Sequence, residues 1–268
     1  MAEQSPRRTP SPITLTRRTA LEWLGGAAVL ALGPGLLTAC DEAEKALADA
    51  GRSDLTRDAA PGDTVSYPDD WSVPDGGFRF EPGQGSQSVY KSWWERTVDA
   101  QDLPKLLATW KLTVDGMVQS PLTLKFADLV ALPRQDQVTD FHCVEGWSVY
   151  DVPWNGVHLS ELFDRVKVQA SASHVTFHTV GGKYNESLPL PVALEPRTML
   201  AYGAAGATLP LAHGFPLRVV IPRLLGYKNA KYVERIELTD QPVNGFWVAA
   251  GYGYDGEVPK ERLRPGKY

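Results

Sequence analysis

Downstream of residue 109 the chain alternates between short strand-like and short helical segments, and no regular series of long amphipathic helices separates them. This is the tightest constraint on its fold. A doubly wound parallel sheet needs a crossover of about a dozen residues or more between successive strands, and the sequence does not supply them. Trp110, Leu112 and Val114 alternate with polar residues and run into Asp115-Gly116, a strand followed by a turn. Phe126, Leu129 and Val130 predict a short helix after Pro121. Leu159, Leu162, Phe163 and Val166 have helical spacing and follow Trp154-Asn155-Gly156, which reads as a turn. Strand character returns over 174–180, 217–221 (closed by Pro222) and 232–238. The expected fold class is α+β: a mixed-sheet domain over residues 88–245, with a tail, 246–268, packing back onto it.

The first forty residues do not share this patterning. Arg17-Arg18 precedes an uncharged, Gly- and Ala-rich run that is short for a membrane span, and small residues lead into Cys40. This reads as a twin-arginine export signal (residues 1–40) with a lipoprotein-type processing box, Cys40 carrying the lipid; an uncleaved N-terminal anchor is the alternative. Residues 41–87, rich in Asp, Ala, Gly and Pro, read as a tether. The expected location is extracytoplasmic, at a membrane. A net charge of -5 and a charged fraction of 22% leave no global nucleic-acid footprint.

Beyond Cys40 the body holds one cysteine, in DFHCVEGW (140–147). In an oxidising compartment a free exposed thiol is a liability. Four readings apply to Cys143: a core thiol, a nucleophile, a zinc ligand, or a single soft ligand to a metal whose other ligands come from a cofactor. His142 is adjacent but would point to the opposite face of a strand. His174 and His178 share a face without a recognised zinc pattern. The last reading calls for a place to hold a charged cofactor end. His213, Arg218, Arg223, Lys228 and Lys231, punctuated by Gly214, Pro216, Pro222 and Gly226, offer one. A solvated basic patch is the plainer alternative for that segment. Taken together, the cysteine, the basic segment and the folded-export signal favour a cofactor-bound metal.

The residues at 110–133, 140–163, 184–238 and 245–253, including DFHCVEGWSVYDVPWNGVHLSELF and HGFPLRVVIPRLLGYKNAKYVERIEL, resemble the molybdopterin-binding domain of the sulfite oxidase superfamily, especially its bacterial exported oxidoreductases. The resemblance implies a single compact domain of the sulfite-oxidase type, here without an immunoglobulin-like dimerisation domain. It implies a molybdenum-molybdopterin cofactor with Cys143 as the metal's thiolate ligand and a catalytic residue. His213 and Arg218 match positions near the pterin phosphate, Lys228 and Lys231 fall in the cofactor-binding loop, and His142 and Asn185 are further cofactor-side candidates. Tyr252 and Tyr254 are candidate catalytic residues by analogy with an active-site tyrosine. The implied reaction is two-electron oxygen-atom transfer on a small sulfur compound or sulfoxide. The chain is expected to be a monomer exchanging electrons with an external carrier such as a membrane cytochrome. A non-enzymatic binding lipoprotein of the same fold is the alternative. One departure matters: Glu145-Gly146-Trp147 supplies no arginine where sulfite-oxidising members have one, and an acidic side chain there disfavours an anionic substrate.

Overall fold

Leu112 and Val114 turn inward as their alternation predicts, and β1 spans Leu112–Gly116 with both buried. Gly116 ends the strand at φ +82, where an added Cβ would lie 2.3 Å from the Leu238 carbonyl; only glycine admits that approach. The computed structural model describes residues 107–268 together with Tyr90 and Trp93. The predicted export signal, the tether and Cys40 lie outside the described residues.

Among the described residues, two five-stranded sheets form the domain. In the first, β1 pairs antiparallel with β2 (Leu122–Leu124) and parallel with β10 (Val233–Thr239). It continues through β5 (His174–Thr179) to β6 (Asn185–Pro189). This parallel pair among antiparallel neighbours makes the sheet mixed. In the second, β3 (Gln135–His142) and β4 (Ser148–His158) form a hairpin, and β4 also pairs with β7 (Met199–Ala204). The far side of β7 carries β8 (Ala207–Thr208) and β9 (Arg218–Val220).

Short helices fill the gaps. The first, α1 (Phe126–Val130), starts where the Lys125 N–H donates to Asp128 Oδ2 at 3.0 Å and buries Phe126 and Leu129. The second, α2 (Leu159–Val166), buries Leu159, Leu162, Phe163 and Val166, one face at helical spacing. His158 caps it: Nδ1 accepts from the Ser160 N–H at 3.2 Å, so Nε2 carries the proton and donates to the Glu195 carbonyl at 3.0 Å. Two further helical turns are α3 (Leu190–Ala193) and α4 (Phe246–Ala249). The α+β class and the mixed sheet stand as expected, and the described residues show no second domain.

One segment differs from its sequence reading. Trp154-Asn155-Gly156 is not a turn but lies inside β4, with a register shift between Asn155 and Gly156. A Cβ on Gly156 would sit 2.1 Å from the Leu200 carbonyl, so the glycine serves a close approach to β7.

The C-terminal tail is tied down along its length. The Leu225 N–H donates to Gly256 O at 2.7 Å and the Val258 N–H to Arg223 O at 2.9 Å. Farther on, the Asp140 N–H donates to Lys267 O at 3.3 Å. The tail therefore crosses the 223–228 loop and ends against the β3–β4 hairpin.

Candidate active site

The β3–β4 register pairs Phe141 with Val149 and His142 with Ser148, leaving Cys143 to open the connecting turn. The Cys143 N–H donates to Trp147 O at 2.9 Å, and the Gly146 N–H, at φ +99, returns to Cys143 O at 3.2 Å. Cys143 is half-buried rather than a core thiol. Its sulfur lies 3.8 Å from Glu145 Oε2, the same oxygen that accepts from the Trp147 indole at 2.9 Å. Strand alternation separates Cys143 from His142, which is buried with Nδ1 2.8 Å from Ser148 Oγ. Burial holds the His142 imidazole below its usual pKa, and the nearby Arg262 adds to this.

The basic segment comes to the same place from the other sheet edge. Gly226 opens the GYKNAK loop directly over Phe141, where an added Cβ would be 2.6 Å from the ring. Arg218 is fully buried beneath it, with its Cζ 5.2 Å from the Phe141 ring, 5.3 Å from Trp93 and 5.4 Å from Trp154. Its Nη1 donates to His213 O at 2.9 Å and Nη2 to Asn229 O at 3.4 Å. Burial pushes the guanidinium down to about 10, still charged at neutral pH. His213 stacks on Tyr90 at 4.6 Å, and burial, then Lys231 and Arg218, push its imidazole down to about 3.

Arg218 forms no ion pair with a carboxylate among the described residues. Its Nε, His213 Nδ1, the Tyr90 hydroxyl and Trp154 Nε1 are all buried there without a hydrogen-bond partner. A buried cation and unsatisfied donors cost free energy unless an acceptor meets them. The set suits an anionic group with several oxygens. Asn229 shapes the loop around it: Oδ1 accepts from the Ile221 N–H at 2.6 Å, and Nδ2 donates to Leu224 O and Leu225 O at 3.3 and 3.1 Å.

The other candidates are placed as follows. Lys231 Nζ donates to Ala212 O at 2.8 Å, bracing the turn before His213. Lys228 is turned inward, its ammonium taken up by Glu186 at 2.5 Å and Ser187 O at 2.9 Å. In the loop it is a buried support. Asn185 begins β6, paired with His178, which bonds Glu237 at 2.9 Å. Tyr254 reaches Ser187 Oγ at 3.3 Å and lies over Lys228, while Tyr252 packs against Trp247 and Tyr227. The described contacts of both tyrosines are with β5, β6, α4 and the GYKNAK loop rather than with the Cys143 turn. From the tail, Arg262 meets that turn, bonding Cys143 O and Trp147 O. Nothing in the local KER pattern distinguishes it from a solvated charge. Trp154 was equally hidden, inside what reads as a turn.

Comparison with known proteins places this geometry in a family. Residues 100–247 match the family described as "Oxidoreductase molybdopterin binding domain", more than half of the chain. The chain is 38% identical over 151 residues to the uncharacterized oxidoreductase YuiH of Bacillus subtilis, covering 56% of this chain and 76% of that protein. It is 32% identical over 194 residues to the protein-methionine-sulfoxide reductase catalytic subunit MsrP of Ralstonia nicotianae, covering 64% and 58%. A putative protein-methionine-sulfoxide reductase subunit, YedZ1 of Azospira oryzae, is 36% identical over 149 residues, covering 56% of each chain. The chain thus spans little more than half the length of these two relatives. Among solved structures, the sulfane dehydrogenase SoxCD from Paracoccus pantotrophus superposes with a TM-score of 0.50 at 25% identity, covering 56% of this chain and 43% of that one.

Proposed function

The chain belongs to the molybdopterin-binding oxidoreductase domain family, and from that premise we propose that it carries out two-electron oxygen-atom transfer on a small sulfoxide-type substrate. The reading rests above all on Arg218: a fully buried guanidinium, without a carboxylate partner among the described residues, packed on the ring of Phe141, two residues before Cys143. A pterin phosphate supplies the charge and the acceptors that this cation and its unsatisfied neighbours need.

Bound molybdenum-molybdopterin supplies the oxygen-atom transfer chemistry itself. Cys143 holds the metal through its sulfur, and Glu145 Oε2, 3.8 Å away, accepts from the Trp147 indole and so fixes a carboxylate beside that sulfur. Arg218, His213 and the Tyr90 and Trp154 donors hold the anionic end of the cofactor. Lys231 stiffens the segment before His213, and Lys228 supports the loop from below. His213 stays neutral near pH 7, which leaves one ring nitrogen able to donate and the other to accept.

The substrate class follows from Glu145. Its carboxylate is exposed beside the sulfur, and at ~4 Å an exposed pair of like charges costs about 1 kcal/mol. Sulfite meets that repulsion and a neutral sulfoxide does not. The names of the two methionine-sulfoxide reductase relatives support the same choice. The chain is further proposed to be exported by its twin-arginine signal and tethered through lipid on Cys40, drawing electrons from an external carrier such as a membrane cytochrome. No helix among the described residues is long and apolar enough to cross a membrane.

The test is elemental analysis, with pterin fluorescence after acid release, on protein exported from a cofactor-competent host. Turnover of methionine sulfoxide and of sulfite is then compared using artificial electron carriers. Molybdenum and pterin at equal stoichiometry, with sulfoxide preferred, is the expected result. Protein with neither metal nor pterin overturns the proposal.

A further inference from the structure

Arg262 closes a short 3-10 turn, Lys260–Arg262, and its half-buried guanidinium is shared among three acceptors of the hairpin turn that holds Cys143. Nη1 donates to Cys143 O at 3.1 Å, and Nη2 donates to Trp147 O at 2.8 Å and Ser148 Oγ at 3.1 Å. Cys143 and Trp147 are the two ends of that turn, already joined by the Cys143 N–H to Trp147 O bond. The guanidinium therefore ties both arms of the hairpin together from outside it. Ser148 Oγ, which accepts from Arg262, also bonds His142 Nδ1, 2.8 Å away. The bonds continue inward: one tail arginine grips the turn and also orders the polar groups behind it.

The turn needs such a grip. Val144, Glu145 and Gly146 are all exposed, and a loop with so little burial opens at low free-energy cost. A metal ligand, by contrast, must be held to within about 0.5 Å of its working position. We propose that Arg262 is a positioning residue for Cys143, its planar fork fixing the width of the turn and with it the place of the sulfur. This rests on the reading of Cys143 as the metal's ligand. Two carbonyls on opposite arms require two N–H groups at fixed spacing, which arginine has and the point-like ammonium of lysine lacks.

The same tail contains its own control. Arg264 Nε donates to Asp140 Oδ2 at 2.7 Å, and its Nη2 lies 3.0 Å from Asp151 Oδ2, so it grips the strands below the turn without touching the turn.

Hydrogen exchange of the cofactor-free full chain, read on the peptide containing Cys143, tests the grip without any metal. Arg262→Ala and Arg262→Lys are expected to speed exchange there by about tenfold, whereas Arg264→Ala leaves the turn amides near wild type and lowers the melting temperature. In cofactor-loaded protein both Arg262 variants are expected to shift or broaden the electron paramagnetic resonance signal of the half-reduced metal. Wild-type exchange in the Arg262 variants, full rescue by Arg262→Lys, or an unchanged resonance signal alongside faster exchange would each overturn the positioning role. Should Arg262→Ala not fold, Arg262→Lys carries the test. A wild-type protein without molybdenum overturns instead the ligand reading of Cys143, and the exchange result still decides whether the grip exists.

Discussion

Lys228 and Glu186 form an ion pair, Nζ to Oε1 at 2.5 Å, with neither side chain exposed. Burial raises the pKa of the Glu186 carboxyl and lowers that of the Lys228 ammonium, and each partner opposes the shift in the other. The tail and the residue that leads into it lie directly on this pair. A Cβ on Gly256 would fall 2.5 Å from Lys228 Cγ, and one on Gly245 would fall 2.7 Å from the Glu186 carboxylate. Removing one partner strands the other in the interior, so Lys228→Met is expected to cost about 3–5 kcal/mol. Lys228→Met combined with Glu186→Leu should recover much of that loss, because an apolar pair leaves no buried charge. Urea unfolding of the three proteins measures both effects.

His213 makes stability depend on pH. Its folded pKa is pushed down to about 3, below the ordinary value of 6.5, so between these limits the unfolded chain binds a proton that the folded chain does not. Stability is therefore complete above pH 6.5 and falls on acidification toward pH 3, by up to about 1.4 kcal/mol per pH unit. His142 is shifted in the same direction and adds to the slope. His213→Asn should flatten the profile by close to one proton, as measured by denaturant unfolding at a series of pH values.

Cys143→Ser separates fold from chemistry. Because Cys143 is half-buried at the mouth of a turn, the change in stability should stay within about 1 kcal/mol. Turnover is expected to disappear while pterin is largely retained through Arg218 and His213. Calorimetry, pterin fluorescence and a steady-state assay on one preparation decide the matter; wild-type-like turnover refutes the ligand assignment.

Glu145→Gln tests the basis of substrate choice. Removing an exposed charge beside the sulfur relieves about 1 kcal/mol of repulsion on an anion, so kcat/KM for sulfite should rise roughly fivefold. The value for a neutral sulfoxide should move little. The Trp147 indole keeps an acceptor in glutamine's carbonyl oxygen, so the turn is preserved. The gain should shrink as salt is added.

Much of this protein is legible along its chain because local periodicity is a local matter. The alternation of Leu112 and Val114 and the spacing of Leu159, Leu162, Phe163 and Val166 each record which face is buried, and the structure buries those faces. The same holds for the strands read at 174–180, 217–221 and 232–238, which appear as β5, β9 and β10. The α+β class follows from short elements that leave no room for helical crossovers.

Tertiary structure decided what depends on contacts distant in sequence. Gly156 looks like a turn residue until Leu200 of β7 arrives against it. Lys228 looks like a free cation until Glu186, 42 residues away, takes its charge. Arg262 reaches the Cys143 turn across 119 residues. A side chain's chemical type is written in its own position; the acceptor it faces is set by how distant backbone segments pack, and no local pattern encodes that meeting.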